Sequence, residues 1–146
     1  MKKLLIGLLV AGAFSKLVAA EAEWLTDLPT ALAKAKAEQK MVLLDFTGSD
    51  WCGWCIKFNK EVLSQSAFID YAAKNLVLVE LDFPRKKQLD AKLKKANDAL
   101  QDKYKIDGFP TLVVLNSRGK EAGRQVGYLE GGPAAFIAKL EEFKKK

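Results

Sequence analysis

The sequence predicts an α/β fold, a mixed sheet of about four strands sandwiched between helices, and three patterns carry that prediction. Two short apolar runs, "MVLLDFT" and "LVLVELD", have the composition of strands covered on both faces. Helical sequence between them implies a parallel pair joined by a crossover. Downstream, "TLVVLNSRGKEAGRQVGYL" reads as two strands closed by a turn at 117–120, which adds antiparallel pairing. Residues 86–104 place Leu89, Leu93, Ala96, Leu100 and Tyr104 at helical spacing, an apolar stripe suited to lie on a sheet.

The elements follow in order. Residues 1–20 open with Lys2 and Lys3, continue through an uncharged, mostly apolar stretch from Leu4 to Phe14, and close on Val18-Ala19-Ala20. That is the pattern of a secretory signal peptide cut after Ala20, leaving one domain over 21–146. Eleven apolar residues fall short of the ~20 that span a bilayer, so no stable membrane insertion is expected once the signal is gone. No cysteine follows the stretch to accept a lipid. The signal carries three lysines and no acid, which takes the formal charge of +6 to +3 for the remainder. The remaining lysines alternate with acids on helix faces, so a solvated surface is expected and no nucleic-acid partner.

Thr26 or Asp27 can cap a helix over 27–39 with Pro29 in its first turn, and Trp24 just before it is expected to pack. A strand over 41–47 delivers the chain to "SDWCGWCIKF", after which Cys55, Phe58 and Val62 fall near one helical face. Ser64 or Ser66 can cap a further short helix. A strand over 76–82 ends before Pro84, the amphipathic helix occupies 86–104, the hairpin follows, and a last helix starts at Pro133 and finishes in lysines.

The chemistry lies in Cys52 and Cys55, the only cysteines of the chain. A chain of this length builds a core without disulfides, and closing so short a loop removes little chain entropy, which argues against a purely structural bridge. Two thiols with no histidine cannot complete a zinc site within one chain, so no metal is expected. At the junction of strand and helix, Cys52 instead meets unpaired backbone N–H groups and the positive helix end. A thiol so placed ionises more readily than a free one, whose pKa is ~8.5. Cys52 is therefore the expected nucleophile and Cys55, one turn deeper, the resolving thiol.

"LLDFTGSDWCGWCIKF", together with "IDGFPTLVVLNSRGK", resembles the thioredoxin superfamily, specifically its exported thiol-disulfide reductase and isomerase-like members, over roughly residues 24–143. The resemblance implies the thioredoxin-like three-layer sandwich. It places catalysis in Trp51, Cys52, Gly53, Trp54 and Cys55, a cis-proline at Pro110 between Phe109 and Thr111, and a buried acid at Asp45 that moves the Cys55 proton. Pro110 as a simple strand opener is the competing reading. Asp45 could alternatively hydrogen-bond the loop at Gly48 and Ser49, and Asp50 is expected to be exposed and to oppose the thiolate by like charge. "LVLVELDF" lacks the family's usual lysine near the buried acid. Trp51, Gly53, Trp54, Phe109 and Thr111 are expected to meet substrate, with Trp54 on a rim for unfolded chains and Trp51 shielding Cys52.

The implied activity is an exported, periplasmic thiol-disulfide oxidoreductase that reduces or rearranges disulfides. Its partners would be disulfide-containing exported proteins and a redox protein that regenerates the dithiol, and it needs no cofactor beyond the cysteine pair. Without a histidine to stabilise the thiolate, the pair leans toward reductant. A thiol oxidase and a non-catalytic binding or chaperone module are the alternatives.

Overall fold

A computed structural model describes residues 21–145. The expected signal peptide lies outside the described residues. The sheet has five strands: β1 (Trp24–Leu25), β2 (Met41–Thr47), β3 (Leu76–Asp82), β4 (Thr111–Leu115) and β5 (Glu121–Val126), in the order β1-β3-β2-β4-β5. β2 and β3 are parallel, as the crossover requires, and β4 runs antiparallel to β2 and to β5. The strand beyond the expected four is β1, two residues that pair with Leu78 and Val79 at the sheet edge and carry the packed Trp24.

Period-two alternation along β2 and β3 assigns each side chain to a layer. Val42, Leu44 and Phe46 join Val77, Val79 and Leu81 in one core. Leu28, Ala31 and Ala35 of α1 (Leu28–Glu38) and Tyr104 of α4 (Ala91–Tyr104) cover it. Met41, Leu43, Leu76 and Leu78 face the other way, under α2 (Gly53–Phe58), α3 (Ser66–Asn75) and α5 (Gly132–Lys144), where the Phe136 ring meets Phe58 edge-on at 5.2 Å and Phe68 at a tilt at 5.9 Å. The same parity sends Asp45, Glu80 and Asp82 toward the α2 layer.

Asp27 caps α1, its carboxylate accepting from the Thr30 N–H at 2.8 Å. α2 does not stop at Phe58 but widens into a π-helical turn, Asn59–Leu63. Two expected boundaries need correction. Neither serine caps α3: Gln65 takes the cap position without a side-chain bond, while Ser64 donates its hydroxyl to Asn59 Oδ1 at 2.7 Å. The amphipathic helix begins at Ala91 rather than 86, because Asp90 accepts from the N–H groups of Lys92 and Leu93 and fixes the start there. Residues 83–90 form an arm instead, which bears on the site.

Gly123 of β5 faces α5 so closely that a Cβ would fall within the Phe143 ring. Gly123→Ala is expected to push Phe143 off the sheet and to lower stability by roughly 1–3 kcal/mol, read as a reduced urea midpoint at unchanged m-value.

Candidate active site

β2 ends in Thr47 and the chain turns through Gly48, Ser49, Asp50 and Trp51 into α2. Three features fix that turn. The Cys52 N–H donates to the Gly48 carbonyl at 2.9 Å. Asp82 accepts from both the N–H (2.9 Å) and the hydroxyl (2.6 Å) of Ser49, and pairs with Lys87 at 2.8 Å. Burial works to raise the Asp82 pKa, but these hydrogen bonds outweigh it and hold the carboxyl low. Gly48 lies under the Trp51 indole, where a Cβ would come within 2.5 Å of the ring. Thus Asp82, not Asp45, carries the loop.

The cysteines form a disulfide with Cα atoms 5.2 Å apart. Cys52 occupies the N-cap of α2 and its Sγ accepts the Cys55 N–H at 3.2 Å. This is the bond a capping oxygen would make, so the helix start offers a donor to negative charge on that sulfur. Both cysteines are buried, Cys52 at 7% and Cys55 at 3% exposure.

Beneath them, a cavity of about 240 Å³ is lined by Asp45, Cys55, Asn59, Lys60 and Glu80 among others. Asp45 pairs in register with Glu80 of β3, so an acid stands across from it where a cation was sought. Asp45 is buried, and its Oδ1 finds no hydrogen-bond partner. Burial, with the Glu80 and Asp82 charges adding to it, pushes the Asp45 pKa up to about 8. Glu80 is raised for the same reasons, burial first and then Asp82. Asp45 is therefore protonated at neutral pH and shares a cavity with Cys55, the placement a proton carrier needs.

The Phe109–Pro110 peptide is cis. Because Thr111 pairs with Phe46, Pro110 lies at the end of the sheet where β2 runs into the cysteine turn. Thr111, expected to meet substrate, is buried instead: its hydroxyl donates to the Gly108 carbonyl at 2.7 Å, so it supports the proline loop from within. Phe109 stands edge-on to Trp51 at 5.9 Å and packs on Phe83 at 5.2 Å. Trp51 is half-buried, its indole N–H donating to the Phe83 carbonyl at 2.7 Å. Trp54 is 58% exposed and leans on Tyr128 at 5.4 Å, with exposed Ile56 on the same helix. Gly53 faces open space, where a Cβ would meet nothing within 4 Å.

Asp50 departs from expectation. It is half-buried, and its carboxylate accepts the backbone N–H groups of Arg85, Lys86 and Lys87, which hold its pKa low. Its charge is thus directed into the arm and away from the sulfur. Glu80, Asp82 and Tyr128 are the site residues that sequence reasoning missed. Strand parity across "LLDF" and "VELD" could have found both acids, whereas nothing local marks Tyr128.

The sequence matches the thioredoxin-like domain family over residues 28–144. It is 38% identical over 125 residues to the disulfide bond reductase DsbH of Chlamydia pneumoniae, covering 86% of this chain and 74% of that protein. It is 32% identical over 111 residues to the thiol:disulfide interchange protein DsbD of Vibrio cholerae, covering 75% of this chain and 17% of that much longer one. Among solved structures, a DsbH oxidoreductase superposes with a TM-score of 0.81 at 34% identity, over 99% of this chain and 95% of that one. A thioredoxin from Thermus thermophilus gives 0.62 at 25% identity, over 83% and 85%.

Asp45 makes stability depend on pH with a definite sign. Its folded pKa of about 8 lies above the unfolded value, so the native state binds the extra proton and stability falls as pH rises between about 4 and 8. One such group contributes a slope of at most about 1.4 kcal/mol per pH unit. Asp45→Asn is expected to flatten the urea-unfolding profile over that window; an unchanged slope would show that Asp45 is ionised in the native protein.

Proposed function

The chain belongs to the thioredoxin-like domain family, and from that premise we propose that it is an exported thiol-disulfide oxidoreductase working as a disulfide reductase. The observation that carries the exchange chemistry, in either direction, is the Cys55 N–H directed at Cys52 Sγ from the first turn of α2. In the reduced protein that donor and the helix end favour the Cys52 thiolate.

The Cys52 thiolate attacks one sulfur of a substrate disulfide, forming a mixed disulfide and releasing the first substrate thiolate, which takes a proton. Cys55 then loses its proton to the ionised form of Asp45, which with a pKa of about 8 is the minority form at neutral pH, and attacks Cys52 Sγ. The enzyme disulfide forms, and the second substrate thiolate leaves and is protonated. Two electrons and two protons pass to the substrate, and the protein ends as the Cys52–Cys55 disulfide. A second dithiol protein must return the pair to its reduced form by the reverse exchange. Trp51, Phe109 and Pro110 on one side, and Trp54 on the other, frame the place where the substrate sulfur would lie; the cis-proline backbone is suited to pairing with an extended chain.

Export is supported by the signal pattern in residues 1–20. No helix among the described residues is long and apolar enough to cross a membrane. The reducing direction is supported by the name of the Chlamydia relative and by the lack of any histidine to stabilise the thiolate further. A potential closer to the ≈ −270 mV of thioredoxin than to the ≈ −120 mV of a strong oxidant is expected from equilibration with glutathione, and a value near the latter would make the protein an oxidase.

The roles of the two sulfurs separate in trapping. Cys55→Ser should accumulate mixed disulfides with substrate, Cys52→Ser should not, and both should reduce insulin no faster than the uncatalysed reaction. Equal trapping by the two variants would void the assignment, and trapping by Cys52→Ser alone would reverse it. Insulin reduction by neither variant nor the intact protein would leave a binding module.

A further inference from the structure

The arm at 83–90 is welded to the cysteine turn. One Asp50 carboxylate collects three successive backbone N–H groups, Arg85 at 2.9 Å on one oxygen and Lys86 at 2.8 Å and Lys87 at 3.0 Å on the other. A carboxylate cradled in this way stays ionised and turns its charge inward. The arm's side chains are left to the outside. The Arg85 guanidinium lies 3.5 Å from the centre of the Trp51 ring, and Lys86 is exposed beside it. Across the cysteines, Lys57 Nζ sits 5.3 Å from the Trp54 ring and 4.6 Å from Tyr128, and Lys60 follows on the next turn at the mouth of the acid cavity.

None of these four cations forms an ion pair with another described residue. Of the acids close by, Asp50 is hydrogen-bonded by the arm, Asp82 is held by Lys87 and Ser49, and Glu61 by the Tyr128 hydroxyl, while Glu130 acts on Tyr128 through its charge alone. Both flanks of the cysteine pair therefore present cations that no carboxylate holds in an ion pair. Arg85 and Lys57 are moreover held against aromatic rings, which restricts them in advance and reduces what they lose on pairing.

We infer that the redox face selects partner segments bearing carboxylates on both sides of the reacting cysteine, with Arg85 and Lys86 receiving one side and Lys57 and Lys60 the other. The inference rests on the exchange chemistry proposed above and adds the substrate class. A small anion would need only one flank, whereas an extended peptide crossing Cys52 reaches both. Because the cations are exposed, their effect falls mainly on encounter and fades with salt.

Three disulfide-linked peptides, identical except for Glu, Gln or Lys at the positions flanking each cysteine, test it with the whole protein. At about 0.01 M ionic strength the Glu peptide should be reduced with kcat/KM about 10-fold above the Lys peptide, and the ratio should shrink toward unity at about 0.15 M and above. The double variant Lys60→Glu, Lys86→Glu, at two side chains that pack on no ring, should lower or invert the Glu-to-Lys ratio. That ratio cancels any general change in exchange. Reduction of the Gln peptide with no difference between Glu and Lys would overturn the inference and leave the exchange reading standing. Reduction of none of the three would remove both.

Discussion

A sulfur stands where a helix ordinarily keeps its capping oxygen, and the rest of the site follows from holding it there. The Cys55 N–H reaches Cys52 Sγ only if the chain leaves β2 and enters α2 within five residues. Gly48 allows that turn because the Trp51 indole lies where any Cβ would be. Asp82 ties Ser49 to β3 through two hydrogen bonds, and Phe83 fixes Trp51 through its carbonyl. The position of Cys52 is thus set from two strands at once.

The acids around the cysteines are kept apart in their effects. Asp45 is neutral at neutral pH through burial and the neighbouring acids, Asp82 is balanced by Lys87 and Ser49, and Asp50 is absorbed by backbone N–H groups. Three carboxyl groups near a thiolate would ordinarily disfavour it. Here the helix end acts on Cys52, while Asp45 lines the cavity beside Cys55. Charge balance around the pair is therefore achieved by where each carboxyl is solvated, and the count of acids in the sequence does not reveal it.

What was legible in the sequence were features that a single segment specifies. "MVLLDFT" and "LVLVELD" gave their strands to the residue, "SDWCGWC" gave the redox pair, and "GFPT" with the family resemblance gave the cis bond. What was not legible depends on two segments meeting. The start of α4 shifted because Asp90 caps it locally while Asp50, 35 residues before Arg85, binds the N–H groups of the arm. Thr111 is expected to meet substrate beside the proline, but it lies in a strand paired with Phe46 on one side and Val126 on the other, and it is buried. Glu80 read as one polar residue in an apolar strand; only the register with Asp45 makes it an electrostatic neighbour.

The two tryptophans that bracket the motif differ in freedom, and this difference bears on how one site can meet many chains. Trp51 has its N–H bound, Phe109 against its edge and Arg85 on its face, and Phe83 joins that group to Phe46 in the core. It forms a fixed wall beside Cys52, where in-line approach of a sulfur tolerates little displacement. Trp54 is mostly exposed and rests on Tyr128, which is itself only half-buried and packs on Phe58. Its ring can turn without disturbing the core, so that side can accommodate apolar side chains of different shape. Fixed geometry at the reacting atoms and an adaptable surface a few residues away suit an enzyme that must align one sulfur bond in partners otherwise unlike one another.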